Sequence, residues 1–521
     1  MRRLAVRGAG ATVFSSGIAL AVQMVSTVVL ARNLRPADFG VVAMATTFSL
    51  LLVNFGLNGF TEAVVQRERL DHYLASNLFW INSSIGLLLT VAFAASGKLM
   101  ARFYHDPRVA HVAIGISFTI FFTSVSVLHG SLLKRAMRFY ALSVNDLVAG
   151  AICVAVSIFG ALAHWGYWAL VAGAVARPLS ACVGTWFLCR WTPALPRRVA
   201  GTRATVRFAL NIYGRFSINY CARNTDNLLV GWRFGEGALG FYKKAYDLFL
   251  LSACQLVSPL TSVAASALSR LDQRSAQYKR YLLSALAVTT FVGMGLGADL
   301  TLVGKDVIRM MLGPGWEPAG RIFTFFGPGV GIMLLYGTHG WIHLSIGTAD
   351  RWLRWGLVEF TVTCSFFLLA LHWGPEGMAV AWTASFWILT IPAFWYAGKP
   401  IGLSVGSVLG AVWKFILASL MAGGVAALIL HKLLPSFAVA LTTLAAFVHI
   451  VVISLLFAAL YLAAVILLHG GFGPLYQLGG LLQEMLPWSK ARKSRQSGST
   501  DNGQSADLVP VQEEAPVSGG R

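Results

Sequence analysis

The sequence predicts an all-α polytopic membrane protein, and three observations predict it. Of 521 residues, 56% are hydrophobic and 12% charged, against about 25% charged in soluble domains, too few to clothe an aqueous surface. Apolar windows about 20 residues long, enough to cross a bilayer as a helix, recur fourteen times between short charged or Pro/Gly loops. The loops also alternate in charge: with the N-terminus placed inside, the inner loops carry 24 Lys/Arg and the outer loops 12, the bias of cytoplasmic loops. An even span count then puts both termini in the cytoplasm. The same distribution explains the net charge of +20 by topology and contact with anionic headgroups, not by nucleic acid.

The windows lie near 10–31, 39–60, 78–97, 110–132, 144–163, 167–189, 208–231, 245–269, 281–303, 321–345, 353–373, 377–397, 408–430 and 438–468. The first follows MRRLAVRGAG, a positive flank of signal-peptide type. No small-residue cleavage site follows it, so it reads as a retained first span. The last window is long enough to tilt or project beyond the lipid. After Trp488 the chain turns polar and Ser/Gly-rich, which predicts a disordered cytoplasmic tail whose basic start touches headgroups. Cys153, Cys182, Cys189, Cys221, Cys254 and Cys364 sit in apolar stretches without C-x-x-C spacing and read as packing residues. GPGW at 313–316 and the Trp residues near span ends read as turns and interfacial anchors. No P-loop is present, which argues against direct ATP coupling, and no cofactor is implied.

Residues 206–246 written beneath 6–46 without a gap align Val6, Arg7 and Ala9 with Val206, Arg207 and Ala209, Leu34 with Phe234, Phe39 with Leu239, Gly40 with Gly240 and Ala45 with Ala245; extended, Thr61 meets Thr261. The offset maps span 1 onto span 7. It predicts an N-terminal lobe over 1–190 (spans 1–6), a basic cytoplasmic linker over 191–207, a C-terminal lobe over 208–400 (spans 7–12), an added helix pair over 401–470 and a tail over 471–521. Six spans per lobe is even, so both lobes enter from the same side. Such repeats share an axis along the membrane normal, and their interface is where transporters place substrate.

The stretches TVVLARNLRPADFGVVAMA near the start, LLKRAMRF at 132–139, DNLLVGWRFGEGALGFYKKAY at 226–246 and SALSRL at 266–271 carry a resemblance. On them the chain resembles the polysaccharide transporter (Wzx-like) branch of the multidrug/oligosaccharidyl-lipid/polysaccharide exporter superfamily, over roughly residues 1–470 and most specifically over 226–271. The resemblance implies a bacterial inner-membrane flippase. Two six-helix bundles would surround a central cavity opening alternately to each side, and would carry polyprenyl-pyrophosphate-linked oligosaccharide outward for O-antigen, exopolysaccharide, colanic-acid-like or teichuronic-type polymers. It transfers no fixed set of recognition residues.

Span 7 reads FALNIYGRFSINYCARNTDNLLVG and places Asn211, Arg215, Asn219, Arg223 and Asn227 four residues apart, with Asp226 beside them. Residues at that spacing share one helical face. A charge at the bilayer centre costs about 2.5–3.5 kcal/mol, so the stripe requires a wet cavity or polar partners. One reading pairs Arg223 with Asp226 locally and lets Arg215 snorkel. The other lines the transport cavity, with guanidiniums gripping pyrophosphate oxygens bidentately and Asn219 and Asn227 meeting sugar hydroxyls. Span 1 offers Ser15, Ala19, Gln23 and Thr27 at the matching positions, so the charge is one-sided. Arg177, before Pro178 in span 6, either lines the cavity or satisfies carbonyls freed by the proline. Asp299, late in span 9, and Glu359, early in span 11, are either carboxylates for ion coupling or residues near a helix end that reach the interface, and Lys414 reads as snorkelling. His339 and His343 are four apart but lack a third ligand, and read as packing histidines rather than a metal site. Lys134, Arg135 and Arg138 either follow from positive-inside placement or gather anionic headgroups and the lipid-linked pyrophosphate before entry.

The rival functions are a drug or cation antiporter of the same superfamily and a polytopic lipid-linked sugar polymerase or transferase. The first prefers carboxylates where span 7 is net basic. The second, being an enzyme, needs a large outer loop or an acidic motif, and the longest outer loops run to about 15 residues without one. The predicted partners are the lipid-linked oligosaccharide, membrane lipids and polysaccharide polymerase and assembly proteins.

Overall fold

The computed structural model describes residues 21–65, 70–197, 201–273, 275–433 and 443–473. Some side chains within its helices, those of Asn211, Arg215 and Asn219 among them, also lie outside the described residues, as do the repeat before residue 21 and the tail. Every regular element described is helical. Helix α1 runs from the first described residue to 33. Pro36, which needs no N–H partner, then opens α2 (Pro36–Asn54), and the Arg35 amide donates to Asp38 Oδ2 at 3.0 Å across the turn. A π-helical stretch, Phe55–Phe60, joins α2 to α3 (Thr61–Val65). Asp71 caps α4 (His72–Tyr104) by accepting from the Tyr73 amide at 3.3 Å. There follow α5 (Arg108–Arg135), α6 (Phe139–Leu162), α7 (Tyr167–Cys189) and α8 (Thr202–Leu268). Ser275 caps α9 (Ala276–Leu312), and α10 (Glu317–Gly337), α11 (His339–Ser345), α12 (Ala349–Ala370), α13 (Gly374–Gly398), α14 (Val405–Leu433) and α15 (Thr443–His469) complete the order.

The described part of each predicted span lies on a helix, spans 7 and 8 both on α8. Among the described residues ten segments have the length and hydropathy to cross a membrane, and the chain is a multi-pass membrane protein. Large apolar side chains stand exposed in rows, such as Leu88, Val91 and Leu99 on α4, Leu420 and Leu428 on α14, and Leu455 on α15. Such rows suit lipid, not water.

Helix α8 is two limbs joined at Gly235, whose φ of 81° and ψ of −173° interrupt the helix. Glycine alone adopts that backbone at no steric cost. The limbs fold back on each other, because the Tyr242 hydroxyl reaches Asp226 Oδ2 at 2.8 Å, whereas sixteen residues of straight helix would hold them about 24 Å apart.

Helices α4, α5, α6 and α7 pack on one another; α9 packs on α10 and α14, and α13 on α10 and α12; α2 lies along α8. That last contact has a specific form. A Cβ on Gly40 would overlap the carbonyl oxygen of Glu236, and a Cβ on Gly240 would overlap the carbonyl oxygen of Pro36. The two contacts exchange under the 200-residue offset read from the sequence. Reciprocal contacts of this kind are what a two-fold relation between repeats produces. Beyond residue 464 the chain forms a separate unit, described only through the last turn of α15 and its end, where the Gly470 amide returns to the Leu467 carbonyl.

Candidate functional site

The first limb of α8 carries the predicted stripe, and the structure divides it. Arg223 is exposed, while Asp226 and Asn227 are 0% and 1% exposed. Asp226 accepts from the Tyr242 hydroxyl and, through Oδ1, from the Asn227 amide at 2.8 Å. Its carboxylate therefore clasps the two limbs of the hairpin, where the local reading had paired it with Arg223. Asn227 Oδ1 is buried without a partner, and its Nδ2 stands 3.5 Å from Asn224 Oδ1, at the limit of a hydrogen bond. The side chains of Arg215 and Asn219 lie outside the described residues.

Arg223 acts on groups of two other helices. It lies within electrostatic reach of Tyr336 on α10 and His339 on α11, and Glu359 on α12 also bears on Tyr336. The Tyr336 hydroxyl accepts from Trp355 Nε1 at 2.8 Å, and His339 Nδ1 contacts the Tyr336 carbonyl at 2.5 Å. His339 Nε2 is buried without a partner, and Glu359 is 8% exposed. One cation and one carboxylate thus flank a tyrosine hydroxyl inside the apolar half of the chain that follows residue 201. Tyr336 and Tyr242 were not found by sequence reasoning. Each is an aromatic in an apolar run, and only tertiary contact gives its hydroxyl a partner, across the fold-back of α8 for Tyr242 and from α12 for Tyr336.

The other predicted residues are dispersed. Gln23 is exposed on α1, one turn before Thr27, whose hydroxyl donates to the Gln23 carbonyl at 2.9 Å. Arg177 is exposed on α7 and, with Lys134, bears on Asp146 of α6, an ionisable residue the sequence reading did not single out. Asp299 faces α15 and accepts from Ser454 Oγ at 3.1 Å. His339 and His343 stand 5.9 Å apart between ring centroids, and His343 Nδ1 meets Thr348 Oγ1 at 3.1 Å. Among the described residues no group of three His, Cys, Asp or Glu could hold a metal ion. Two apolar cavities, of about 80 and 230 Å³, lie between α10, α13 and α14 and between α9, α10 and α14 with Trp387. Neither is lined by a predicted site residue.

At the end of the hairpins that carries Gly40 and Gly240, the turns are tied together. Arg108 bridges Asp106 and Glu236 at 2.8 and 2.9 Å. Arg32 Nη2 donates to the Met310 carbonyl and Trp316 Nε1 to the Ala31 carbonyl, both at 3.0 Å. Lys244 Nζ sits 4.4 Å from the Phe39 ring centroid.

Comparison with known proteins gives the family and the fold. A family profile described as "Polysaccharide biosynthesis protein" matches residues 29–321. The succinoglycan biosynthesis transport protein ExoT of Rhizobium meliloti (strain 1021) is 21% identical over 68% of this chain and 72% of its own length. The lipopolysaccharide biosynthesis protein WzxC of Escherichia coli (strain K12) is 21% identical over 61% and 65%. The teichuronic acid biosynthesis protein TuaB of Bacillus subtilis (strain 168) is 24% identical over 63% and 69%. Among solved structures, the lipid II flippase MurJ in an inward closed conformation superposes with a TM-score of 0.71 at 14% identity, over 87% of this chain and 97% of its own. An inward-facing multidrug resistance MATE family transporter gives 0.58 at 12%, over 73% and 94%. The two superpositions concern the fold.

Proposed function

Since the chain belongs to the polysaccharide biosynthesis protein family, we propose that it exports a polyprenyl-pyrophosphate-linked oligosaccharide across the bacterial inner membrane, for lipopolysaccharide O-antigen or exopolysaccharide. It is a transport protein and not an enzyme: the relatives are named for transport and biosynthesis of surface polysaccharides, and export makes or breaks no bond. In this reading fourteen spans form two six-helix lobes, residues 1–190 and 208–400, with both termini cytoplasmic and the pair over 401–470 added. The reciprocal crossing of Gly40 and Gly240 is the closed end of the pathway, and the lobes rock about it in alternating access.

The observation that carries the proposal is the exposed Arg223 guanidinium, borne by a limb of the α8 hairpin and within electrostatic reach of Tyr336, on which Glu359 also bears, and of His339. A pyrophosphate presents acceptor oxygens that a guanidinium matches bidentately. By its place in the sequence, two steps of the stripe earlier, Arg215 is assigned to the same cationic path. An inside-negative potential favours outward movement of a dianion by about 4.6 kcal/mol per 100 mV if the full field is crossed. The polyprenyl tail stays in lipid meanwhile.

The test is export of a fluorescent lipid-linked oligosaccharide from proteoliposomes. Arg223→Ala, inserted to the wild-type level, is expected to export at least tenfold more slowly, with Arg223→Lys between the two. Export at the wild-type rate by Arg223→Ala refutes the assignment. The cation-antiporter reading has Glu359 beside Tyr336 in its favour, and organic-cation efflux that dissipates an ion gradient would replace the export reading with it.

A further inference from the structure

The export reading makes no use of the polar seam between α9 and α15. Down this seam His449 Nδ1 meets Asp306 Oδ2 at 2.6 Å, Ser454 Oγ donates to Asp299 Oδ2 at 3.1 Å, and the Tyr461 hydroxyl donates to the Phe291 carbonyl at 2.9 Å. The two carboxylates are seven residues apart, so they share a face of α9, about 10 Å from each other along the axis. Asp299 lies inside the apolar window 281–303, four residues or about 6 Å from its end, and thirteen residues or about 20 Å from Leu312.

Interhelical hydrogen bonding alone does not explain this chemistry. Amides and hydroxyls hold membrane helices together for about 0.6 kcal/mol per bond, while a charged aspartate within a span is costly, by about 2.5–3.5 kcal/mol at the bilayer centre and less toward its edge. An asparagine would bond Ser454 equally well. What distinguishes the carboxylate is that it titrates.

The surroundings supply no fixed countercharge. Among the described residues Asp299 is acted on by Ser454 and by no charged group. Helix α10 turns Phe323, Gly327 and Gly331 to α9, and α14 turns Ser419 and Gly423 to the cavity they share with it. Across the seam α15 presents His449, Ser454 and Tyr461, and on α9 itself Lys305 is exposed next to Asp306 and Arg309 stands in the last turn. Asp299 Oδ1 and His449 Nε2 are both buried without a partner, and His449 is 8% exposed.

We propose that the α9–α15 seam is a proton-binding site, in which Asp299 takes up and releases one proton exchanged through the Asp306–His449 pair nearer the end of α9. The step is a carboxylate plus a proton giving a carboxylic acid, with no other reactant. A proton fits where a metal does not: two carboxylates, a hydroxyl and an imidazole spread over about 10 Å fall short of the six or more oxygen ligands a hard divalent cation gathers. The proton enters by Asp306, which is nearer the end of α9 and has a side chain 14% exposed, and its occupancy of Asp299 sets how fast the protein cycles.

The transport arm of the test rests on the export reading, so a spectroscopic arm accompanies it. In reconstituted protein, infrared difference spectra between acid and alkaline pH should contain a protonated-carboxyl band that Asp299→Asn removes. In proteoliposomes, export should change at least fivefold across the same pH range in the wild type and become flat in Asp299→Asn. His449→Gln should keep the band and slow the proton exchange. Loss of no band in Asp299→Asn, or a pH profile in that variant parallel to the wild type, overturns the proposal and leaves the seam as adhesive alone. A wild type that carries none of the lipid-linked probe defeats the export reading, while the infrared band still decides the proton site.

Discussion

The α1–α2 hairpin and the hairpin of α8 cross each other at matched positions, and their backbones are treated alike. Gly40 presses on Glu236 and Gly240 on Pro36, so each half supplies one glycine and one carbonyl. Burial repeats as well. Ser26 and Thr27 are 5% and 7% exposed where Asp226 and Asn227 are 0% and 1%, and Gln23 is exposed where Arg223 is exposed. The chemistry at those positions does not repeat. Thr27 spends its hydroxyl within its own helix, and Val42 stands where Tyr242 reaches across to Asp226. The repeat therefore preserves shape, which both halves need to pack, and leaves charge free to differ. A protein that had to bind one anion between its halves needs the guanidinium on one wall only.

The largest effect should come from breaking the shared part. Gly40→Val and Gly240→Val each drive a side chain into a backbone carbonyl, which cannot turn aside as a flexible side chain does. Each is expected to insert in the membrane yet export at least tenfold more slowly, and the two should be equivalent, because the contacts are reciprocal. Cysteine cross-linking between the two hairpin turns gives the mechanism directly: cross-links abundant in the wild type should fall in both variants. A strong defect in one variant with a silent partner would show that the halves do not share this joint.

The difference between the hairpins also marks what could be read from sequence. Hydropathy located the helices, because a span must be apolar for its whole length and the signal accumulates over about 20 residues. The Gly40–Gly240 match was legible for a similar reason: a turn, an aromatic or aliphatic residue and a glycine recur together at one offset. The role of Asp226 was not legible. Its neighbour in sequence is Arg223, one helical turn away, and only the reversal at Gly235 brings in Tyr242 from sixteen residues on. Periodicity placed Asn227 on the same face as Arg223. The structure buries one and exposes the other, since a hairpin partner covers part of a face that a lone helix would present whole. The Tyr336, His339 and Glu359 cluster was invisible for the same reason, being drawn from three helices.

The asymmetric part can be tested through stability. Tyr242→Phe removes one hydroxyl and leaves a fully buried carboxyl group without its side-chain donor. A hydrogen bond to a charged group is worth about 1.5–3 kcal/mol, and that is the expected loss on unfolding in mild detergent. Asp226→Asn, which can still accept from Tyr242, should lose less. Val42→Ala in the first hairpin removes two methyls and no polar contact, so its cost should follow lost packing alone. Equal costs for Tyr242→Phe and Val42→Ala would mean that the polar clasp adds nothing to the common shape.

The smallest effect belongs to the ion pair that ties the crossing from outside. Arg108 reaches Glu236, but both side chains are more than a third exposed, at 39% and 36%, and Arg108 is already held by Asp106, which accepts from its Nε and Nη2 at 3.0 and 2.8 Å. Removing the Glu236 carboxylate leaves that second interaction whole and takes no group out of a dry site. Glu236→Ala should therefore cost about 0.2–1 kcal/mol, shrinking as salt is raised. Arg108→Ala should cost more, because Asp106, with a side chain 7% exposed, then loses its bidentate partner. The order of these two variants distinguishes steric from electrostatic closure. If Glu236→Ala opened the hairpin cross-links as widely as Gly240→Val does, charge would be holding the halves together, and the reciprocal glycines would only be permitting it.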